Sequence, residues 1–554
     1  MSAVLSTKTN AMRLSKAIPL IAWAFGALIF FRRAFFTGFD KIFGNVGDSR
    51  LLVLLHEHWI DVLQGSTSWT SPIYFFPQKG VLGYSDTCLS NAVFYIPLRL
   101  AGLDMYAAFQ WTLILLSLVG FLGVYRLTTY VVGTPRYVAV LLALTFAFSN
   151  NLYLKAGHSQ MFAIYWIPLV LLALARSVVS TQLIRKFAWG GAAGMLFGLV
   201  VYSNFYVGWF AAFAALLVAI IFLALQLRAY GFQQTWKLVR SSLPSAVSCL
   251  VGFLPAMIPF AITYLPVLKL NGGHSYEEAM SYAPGPGDLI NVGSGNIIWG
   301  ATLNRIFSGS HSRLNNIELS LAITPMLTAV VLLCGLMVGL GLRTKRSTRA
   351  HLAISLVACV VMLAVTPVKF GFGSLWTIPW HVVPGAVAIR AINRGQIIGS
   401  LVATIAIALS ASILRKSQLS LSQRRTWKTL GVAVLLLTVV EQYNVTDSSP
   451  LDRSDEMQLI VSTPDPPASC RSFFIVDPAG LPTYQSNLDA MIIAQSKHLP
   501  TINGYSGQLP AGWALDPSTP QYLDGVRAWI NVHGLTNVCS YDRVSKTWEP
   551  ITFS

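Results

Sequence analysis

Residues 187–227 read FAWGGAAGMLFGLVVYSNFYVGWFAAFAALLVAIIFLALQL, 41 residues without one Asp, Glu, Lys or Arg. A hydrocarbon layer of about 30 Å is crossed by roughly 17–25 apolar helical residues, so this run is too long for one crossing and predicts two. The polar pair Ser203-Asn204 near its middle predicts where the chain folds back. The same length criterion applied outward predicts eleven spans, near 17–36, 105–125, 137–154, 159–175, 187–203, 205–227, 243–266, 319–342, 352–368, 395–414 and 426–443. The expected fold class is an α-helical polytopic membrane protein with about 11 transmembrane helices. Composition agrees: of 554 residues, 54% are apolar and 11% charged, with a mean hydropathy of +0.58, whereas a soluble domain carries about 25% charge. Disorder is excluded on the same grounds. Gly190, Gly194 and Gly198 form a small-residue ridge that predicts close helix packing. No small-residue cleavage site follows the first apolar run, so it reads as a span rather than a signal peptide.

The 39 Lys and Arg exceed the 22 Asp and Glu, for a net charge of +17. In a soluble protein that excess suggests nucleic acid; in a membrane protein it marks the cytoplasmic side. With the N-terminus inside, the inner segments hold Lys8, Arg13, Lys16, Arg126, Arg136, Arg176, Arg185, Lys186, Arg228, Lys237, Arg240, Arg343, Lys345, Arg346, Arg349, Arg415, Lys416, Arg424, Arg425 and Lys428, and no acid. All 22 acids then fall on the outer side or at its edge. The expected topology is N-terminus cytoplasmic and C-terminus periplasmic or extracytoplasmic, in the cell inner (plasma) membrane, with no nucleic-acid partner.

Four larger pieces lie outside: 37–104, 267–318, 369–394 and a tail from about 444. The domains expected are therefore 1–443, a transmembrane unit that includes outer loop 37–104 with surface helices, and 444–554, a small extracytoplasmic α/β domain. The run Phe473-Phe474-Ile475-Val476 and the tail's many Pro and Gly residues support the latter. With 11 acids against 6 basic residues the tail is not built to dock on anionic lipid by charge. It holds two cysteines, Cys470 and Cys539, which can pair in an oxidising compartment. Cys249, Cys334 and Cys359 lie in apolar spans and read as small buried hydrophobes. No phosphate-cradling Gly-rich loop with Lys-Ser/Thr is present, which argues against an ATP-driven pump.

Polar groups concentrate on the outer face. Asn45-Val46-Gly47-Asp48-Ser49-Arg50 precedes a helical pattern over 49–64, expected as an amphipathic helix on the membrane surface. Asp48 suits a helix N-cap, which is its structural alternative. Further on come Asp86, the short apolar stretch 91–100, the turn Lys155-Ala156-Gly157-His158-Ser159-Gln160, a Pro-broken segment with Trp376 and Trp380, and Arg390-Ala391-Ile392-Asn393-Arg394. At i and i+4 on a helix, Arg390 and Arg394 would share one face and could share one phosphate, or else snorkel to lipid headgroups. His56 and His58 flank Glu57, but at i and i+2 they point to different helix faces, so no metal site is expected. Glu441, near the outer end of the last span, reads as interfacial. Trp376, Trp380, Tyr74, Phe75 and Phe76 read as an aromatic belt or as the lining of a lipid or sugar groove.

This arrangement resembles the GT-C superfamily, polytopic membrane glycosyltransferases that use lipid-phosphate-linked sugar donors on the non-cytoplasmic face. The features that carry the resemblance are Gly47-Asp48-Ser49-Arg50 in a large first outer loop, surface helices before the second span, the Gly157-His158 turn and the late Arg390/Arg394 pair. Bacterial members often space that pair Arg-x-Pro-x-Arg, where Ile392 stands here. The tail piece Ile502-Asn503-Gly504-Tyr505-Ser506-Gly507 also resembles a segment of large bacterial members. The resemblance implies Asp48 as the catalytic carboxylate, with Asp40 and Asp86 as rivals in the same loop. It implies Arg390 and Arg394 at the donor phosphate, with Lys155 and His158, and more weakly Lys269 and His274, as further candidates. It implies a lipid-linked sugar donor, a glycan or lipid-linked acceptor, and no metal or other cofactor. The leading function is an inverting glycosyltransferase using a polyprenyl-phosphate donor. The alternatives are a transporter or flippase of lipid-linked sugars, or a glycan ligase or polymerase. A transporter would place ionisable groups at mid-membrane, whereas these spans are nearly free of charge.

Overall fold

A computed structural model describes residues 17–342, 347–371, 373–415, 421–477 and 480–551. Lys8, Arg13, Lys16, Arg343, Lys345, Arg346 and Lys416 of the inner charge set lie outside the described residues. A helix lies within each of the eleven apolar stretches, though 319–324 stand outside it, and seven of the described helices are long and apolar enough to cross a membrane by length and composition. Shorter apolar helices run over Ala17–Phe30, Pro325–Gly341 and Lys428–Val440. One of the seven, Phe205–Asn271, is interrupted at Gly231, whose φ of 75° only glycine adopts freely. The break divides it into the two stretches expected at 205–227 and 243–266.

The uncharged run folds back where its polar pair stands. Helix Leu183–Ser203 ends there, and Asn204 starts the next helix, its side chain accepting from the Val207 amide at 2.8 Å. The glycine ridge packs against the far arm of the broken helix. A Cβ on Gly194 would overlap the Cys249 carbonyl, and one on Gly190 the Ser248 hydroxyl. With backbone as the obstacle, Gly194→Val has no rotamer to escape into. We expect a loss of about 1–3 kcal/mol or more, read as a lowered Tm in detergent, while Gly341→Ala, which meets open space, leaves Tm unchanged.

The four larger pieces, 37–104, 267–318, 369–394 and the tail, are hydrogen-bonded to one another. Lys41–Ile42 pairs antiparallel with Leu451–Asp452. The Phe75 and Phe76 amides donate to Asn503 and Thr501 carbonyls at 3.0 and 2.9 Å. The Val445 amide donates to the Gly295 carbonyl at 2.8 Å, and the His274 amide to Val387 at 2.9 Å. The tail forms a three-stranded sheet: Ser472–Val476 runs parallel to Val538–Asp542, which pairs antiparallel with Thr547–Pro550. Helices Thr483–Lys497 and Tyr522–His533 complete it, and Cys470 is bonded to Cys539.

Three expectations change. The helix Asp48–Gln64 is not a half-exposed surface helix: every residue from Ser49 to Asp61 is buried. The tail covers its polar face, pairing Arg50 with Asp489 and Glu456, and Gln495 donates to Asp61 at 2.8 Å. Glu441 is not interfacial. It is fully buried and caps the start of Pro325–Leu342, accepting from the Met326 and Leu327 amides at 2.7 and 3.1 Å and from Trp299 Nε1 at 2.6 Å. The aromatics are not a belt either: Trp376 is buried among Trp209, Phe210 and Phe213, and Phe75 packs edge-on against Trp513 of the tail.

Candidate active site

The helix that carries Asp48 is capped by another residue. Asn45 Oδ1 accepts from the Gly47 and Ser49 amides at 3.2 and 3.1 Å, while the Asn45 amide donates to Ser49 Oγ at 2.9 Å. These reciprocal bonds satisfy the helix start. Asp48 is thus relieved of the capping role and sits at the first helical position. Its Oδ2 lies 3.0 Å from His158 Nδ1, and its Oδ1 accepts from the Tyr505 hydroxyl at 2.8 Å. Burial pushes the Asp48 carboxyl up, but the His158 hydrogen bond and charge, the Tyr505 hydroxyl and the Arg394 cation outweigh it, and the net shift is down. Asp48 is therefore an anion at neutral pH.

His158 joins this carboxylate to a second charged cluster. It sits at a kink, φ −111° and ψ 49°, within the 3-10 stretch Ala156–Trp166. The preceding Gly157 lies so close to Asn45 that a Cβ would overlap its amide group, so the turn packs on the residue that caps the Asp48 helix. His158 Nε2 is 3.5 Å from Glu318 Oε1 and 3.4 Å from Arg394 Nη2. Glu318 accepts from both arms of Arg394, at 3.1 Å to Oε2 and 2.6 Å to Oε1, in the forked geometry favoured by guanidinium and carboxylate. Lys155 Nζ is 2.8 Å from the same Oε1. Burial opposes ionisation of Glu318, yet Lys155, Arg394 and His158 together hold its carboxyl well below the usual range. Burial pulls the Lys155 ammonium the other way, below the usual lysine range, against the attraction of Glu318. Within the chain of contacts the Asp48 side chain is 26% exposed and Lys155 0%, so the carboxylate is the accessible end and the lysine the buried one.

Asp86 approaches from the loop 37–104. Asn204 Nδ2 donates to it at 2.8 Å, so the residue that turns the uncharged hairpin also anchors this acid. Burial raises its carboxyl to about 6, against the pull of Arg394 and His158. Asp48 and Asp86 thus border one cation cluster with pKa values displaced in opposite directions. Asp40 lies elsewhere: it accepts from the Ser454 amide at 3.1 Å and ties loop to tail. Lys269 is exposed, and His274 Nδ1 contacts Glu278 at 2.9 Å.

The two arginines do not share a helix face as their spacing suggested. The backbone between them is not an α-helix: Ala391, at φ −89° and ψ 80°, precedes a 3-10 turn over Ile392–Gly395, and α-helix begins only at Gln396. Arg390 turns to Glu278 at 3.6 Å and stacks on Tyr282, whereas Arg394 is buried on Glu318 and over the Tyr206 ring. The segment is pinned by Tyr206, whose hydroxyl accepts from the Arg390 amide at 2.8 Å. His56 and His58 each contact a backbone carbonyl, Leu52 at 2.6 Å and Trp69 at 3.0 Å. Among the described residues no group of three metal-ligating side chains converges.

Glu318 and Tyr206 were not singled out by sequence, and Tyr505 stood there only within the tail piece Ile502–Gly507, without a role. Glu318 had a legible signal, an acid immediately before an apolar span. Tyr206 had none, standing among apolar residues in an uncharged run.

No protein-family model matches the chain, and no curated protein does. Several solved structures are similar to it. An oligosaccharyltransferase of Archaeoglobus fulgidus in its apo form is 13% identical, with 95% of this chain and 69% of that one covered at a TM-score of 0.49. The arabinofuranosyltransferase AftD from mycobacteria is 14% identical, over 89% of this chain and 32% of that one, at 0.43. ArnT from Cupriavidus metallidurans, bound to undecaprenyl phosphate, is 12% identical over 89% and 85%, at 0.39. All three neighbours are GT-C membrane glycosyltransferases, the superfamily whose motifs this sequence resembles. Similarity at this level assigns no activity to the chain.

Proposed function

We propose that this protein is an integral-membrane, inverting glycosyltransferase that moves a sugar from a polyprenyl-phosphate donor to a hydroxyl of a glycan or lipid-linked acceptor on the outer face of the plasma (inner) membrane. The observation that carries the proposal is the bridge made by His158 between the accessible Asp48 carboxylate and the Lys155–Glu318–Arg394 cluster. A proton acceptor and cations for a phosphate thereby border one place. In the step proposed, Asp48 takes the acceptor's hydroxyl proton as that oxygen bonds to the anomeric carbon. The bond from the anomeric carbon to the phosphate oxygen breaks, and its electron pair leaves on the polyprenyl phosphate, where the nearby cations offset the growing charge. Attack opposite the leaving group inverts the anomeric centre.

The cations divide the task. Arg394 and Lys155 hold a buried anion already, while Arg390 has a 3.6 Å contact to Glu278 and a stack on Tyr282, and can turn to a phosphate without uncovering a buried acid. Arg390→Ala should therefore raise the KM for donor roughly tenfold or more, since a charged hydrogen bond is worth about 1.5–3 kcal/mol, with Tm unchanged. An unaltered KM would remove Arg390 from the donor site. The reaction class is tested with purified protein, radiolabelled polyprenyl-phosphate sugars and acceptor extracts, with product scored as a new glycosidic bond. Movement of labelled lipid between liposome leaflets without any such bond would establish a transporter instead.

A further inference from the structure

The tail reaches the candidate site through one side chain. Resting on the reading of Asp48 as proton acceptor, we infer that Tyr505 is a positioning residue for that carboxylate, so that the C-terminal domain forms one wall of the transfer site. The Tyr505 hydroxyl donates to Asp48 Oδ1 while His158 holds Oδ2. With one contact on each oxygen the carboxylate plane is fixed in rotation, and each oxygen keeps a lone pair for an acceptor hydroxyl.

The placement of Tyr505 is built in from both sides. Before it, Gly504 lies flat on the Phe75 ring, where a Cβ would overlap the aromatic carbons. Asn503 is fully buried: its Nδ2 donates to Asn487 Oδ1 at 2.8 Å and to the Tyr522 hydroxyl at 3.0 Å, and its Oδ1 accepts from the Ile475 amide at 2.9 Å. After it, Ser506 Oγ donates to the Tyr84 carbonyl at 2.8 Å and contacts Ser85 Oγ at 2.6 Å. The loop is therefore locked to the tail's core on one side and to the first outer loop on the other. The groups that face Asp48 from all packed elements are His158 and Lys155 of the outer turn, Arg394 of the broken segment and Tyr505 of the tail, with Arg390 and Tyr484 acting on Tyr505.

The test uses full-length protein in detergent, with a readout that does not depend on transfer. Carbodiimide coupling of an amine to carboxyl groups is followed across pH by mass spectrometry. Asp465, whose side chain is 91% exposed, serves as internal control. Removing a donor that favours the anion raises the carboxyl's affinity for protons. The midpoint for Asp48 in Tyr505→Phe should shift to higher pH, with several-fold more labelling on the flank of the wild-type curve and no change at Asp465. Installing 4-aminophenylalanine at position 505, which keeps a donor on the ring, should restore most of the shift. An unmoved Asp48 midpoint in both Tyr505→Phe and Tyr505→Ala overturns the inference. In transfer assays the same Tyr505→Phe protein should lose kcat several-fold and show the acid limb of its pH profile displaced upward, with the donor KM unchanged. A wild-type kcat and profile would also overturn it. Absence of transfer by the wild-type protein would sink the glycosyltransferase reading, while the labelling result would still decide whether Tyr505 positions Asp48.

Discussion

Asp48→Asn should reduce glycosyl transfer by roughly 10²–10⁴-fold, the span over which a positioned general base contributes, while expression, membrane insertion and Tm stay near wild type. The reason for expecting an intact fold is local. Asn45, not Asp48, caps the helix, and an asparagine at position 48 can still accept from the Tyr505 hydroxyl through Oδ1. What is lost is the anion, and with it the capacity to take the acceptor proton. The control is Asp40→Asn, which alters a loop-to-tail tie outside the cluster and should leave the rate alone. Asp86→Asn separates the remaining rival. Its carboxyl, raised by burial to about 6, is half protonated near that pH. If Asp86 were the base, transfer would fall away below pH 6, whereas a base whose pKa is depressed, as for Asp48, stays ionised there. Loss of activity in Asp86→Asn with full activity in Asp48→Asn would reverse the assignment.

Glu318→Gln carries the largest expected effect on stability. One carboxylate takes a forked pair of bonds from Arg394 and a contact from Lys155, in a setting where the Glu318 side chain is 12% exposed and Lys155 fully buried. Taking the charge away strands the buried Arg394 cation and removes the anion that favours the charged form of Lys155, a class of change that costs about 3–5 kcal/mol. The expected result is a large fall in Tm or loss of folded protein. Lys155→Met introduced together with Glu318→Gln removes the buried amine left without its partner and should recover part of that loss, a coupling measured by the double-mutant cycle. A Glu318→Gln protein as stable as wild type would mean that the cluster is hydrated and loosely held, and the arrangement of cations proposed above for the phosphate would not stand.

The membrane-spanning body was legible because hydrophobic length and charge exclusion act locally: the uncharged run folds back at Ser203-Asn204 as its polarity pattern requires. The pairing of Asp48 with the Gly157-His158 turn was also within reach, since both stood among the motifs that carry the GT-C resemblance. Spacing misled for Arg390 and Arg394, because their helical periodicity yields to a backbone pinned by the Tyr206 hydroxyl, a contact between residues 184 positions apart. The buried state of the Asp48 helix was illegible for a similar reason. Its charged face is matched by Asp489 and Glu456, residues of the tail that no local pattern connects with it. Glu441 shows the same limit: an acid at the end of a span reads as interfacial until the partner helix whose amides it caps is in place.

The account's central claim is that Asp48 and the arginine pair border one phosphate-sugar site, and a structure of the protein with polyprenyl phosphate in a lipid nanodisc tests it most directly. The prediction is a phosphate within hydrogen-bond distance of Arg390 and facing the Asp48–His158 pair across a gap the size of a sugar. A phosphate bound on another face of the molecule, or one separated from Asp48 by packed side chains, would contradict it.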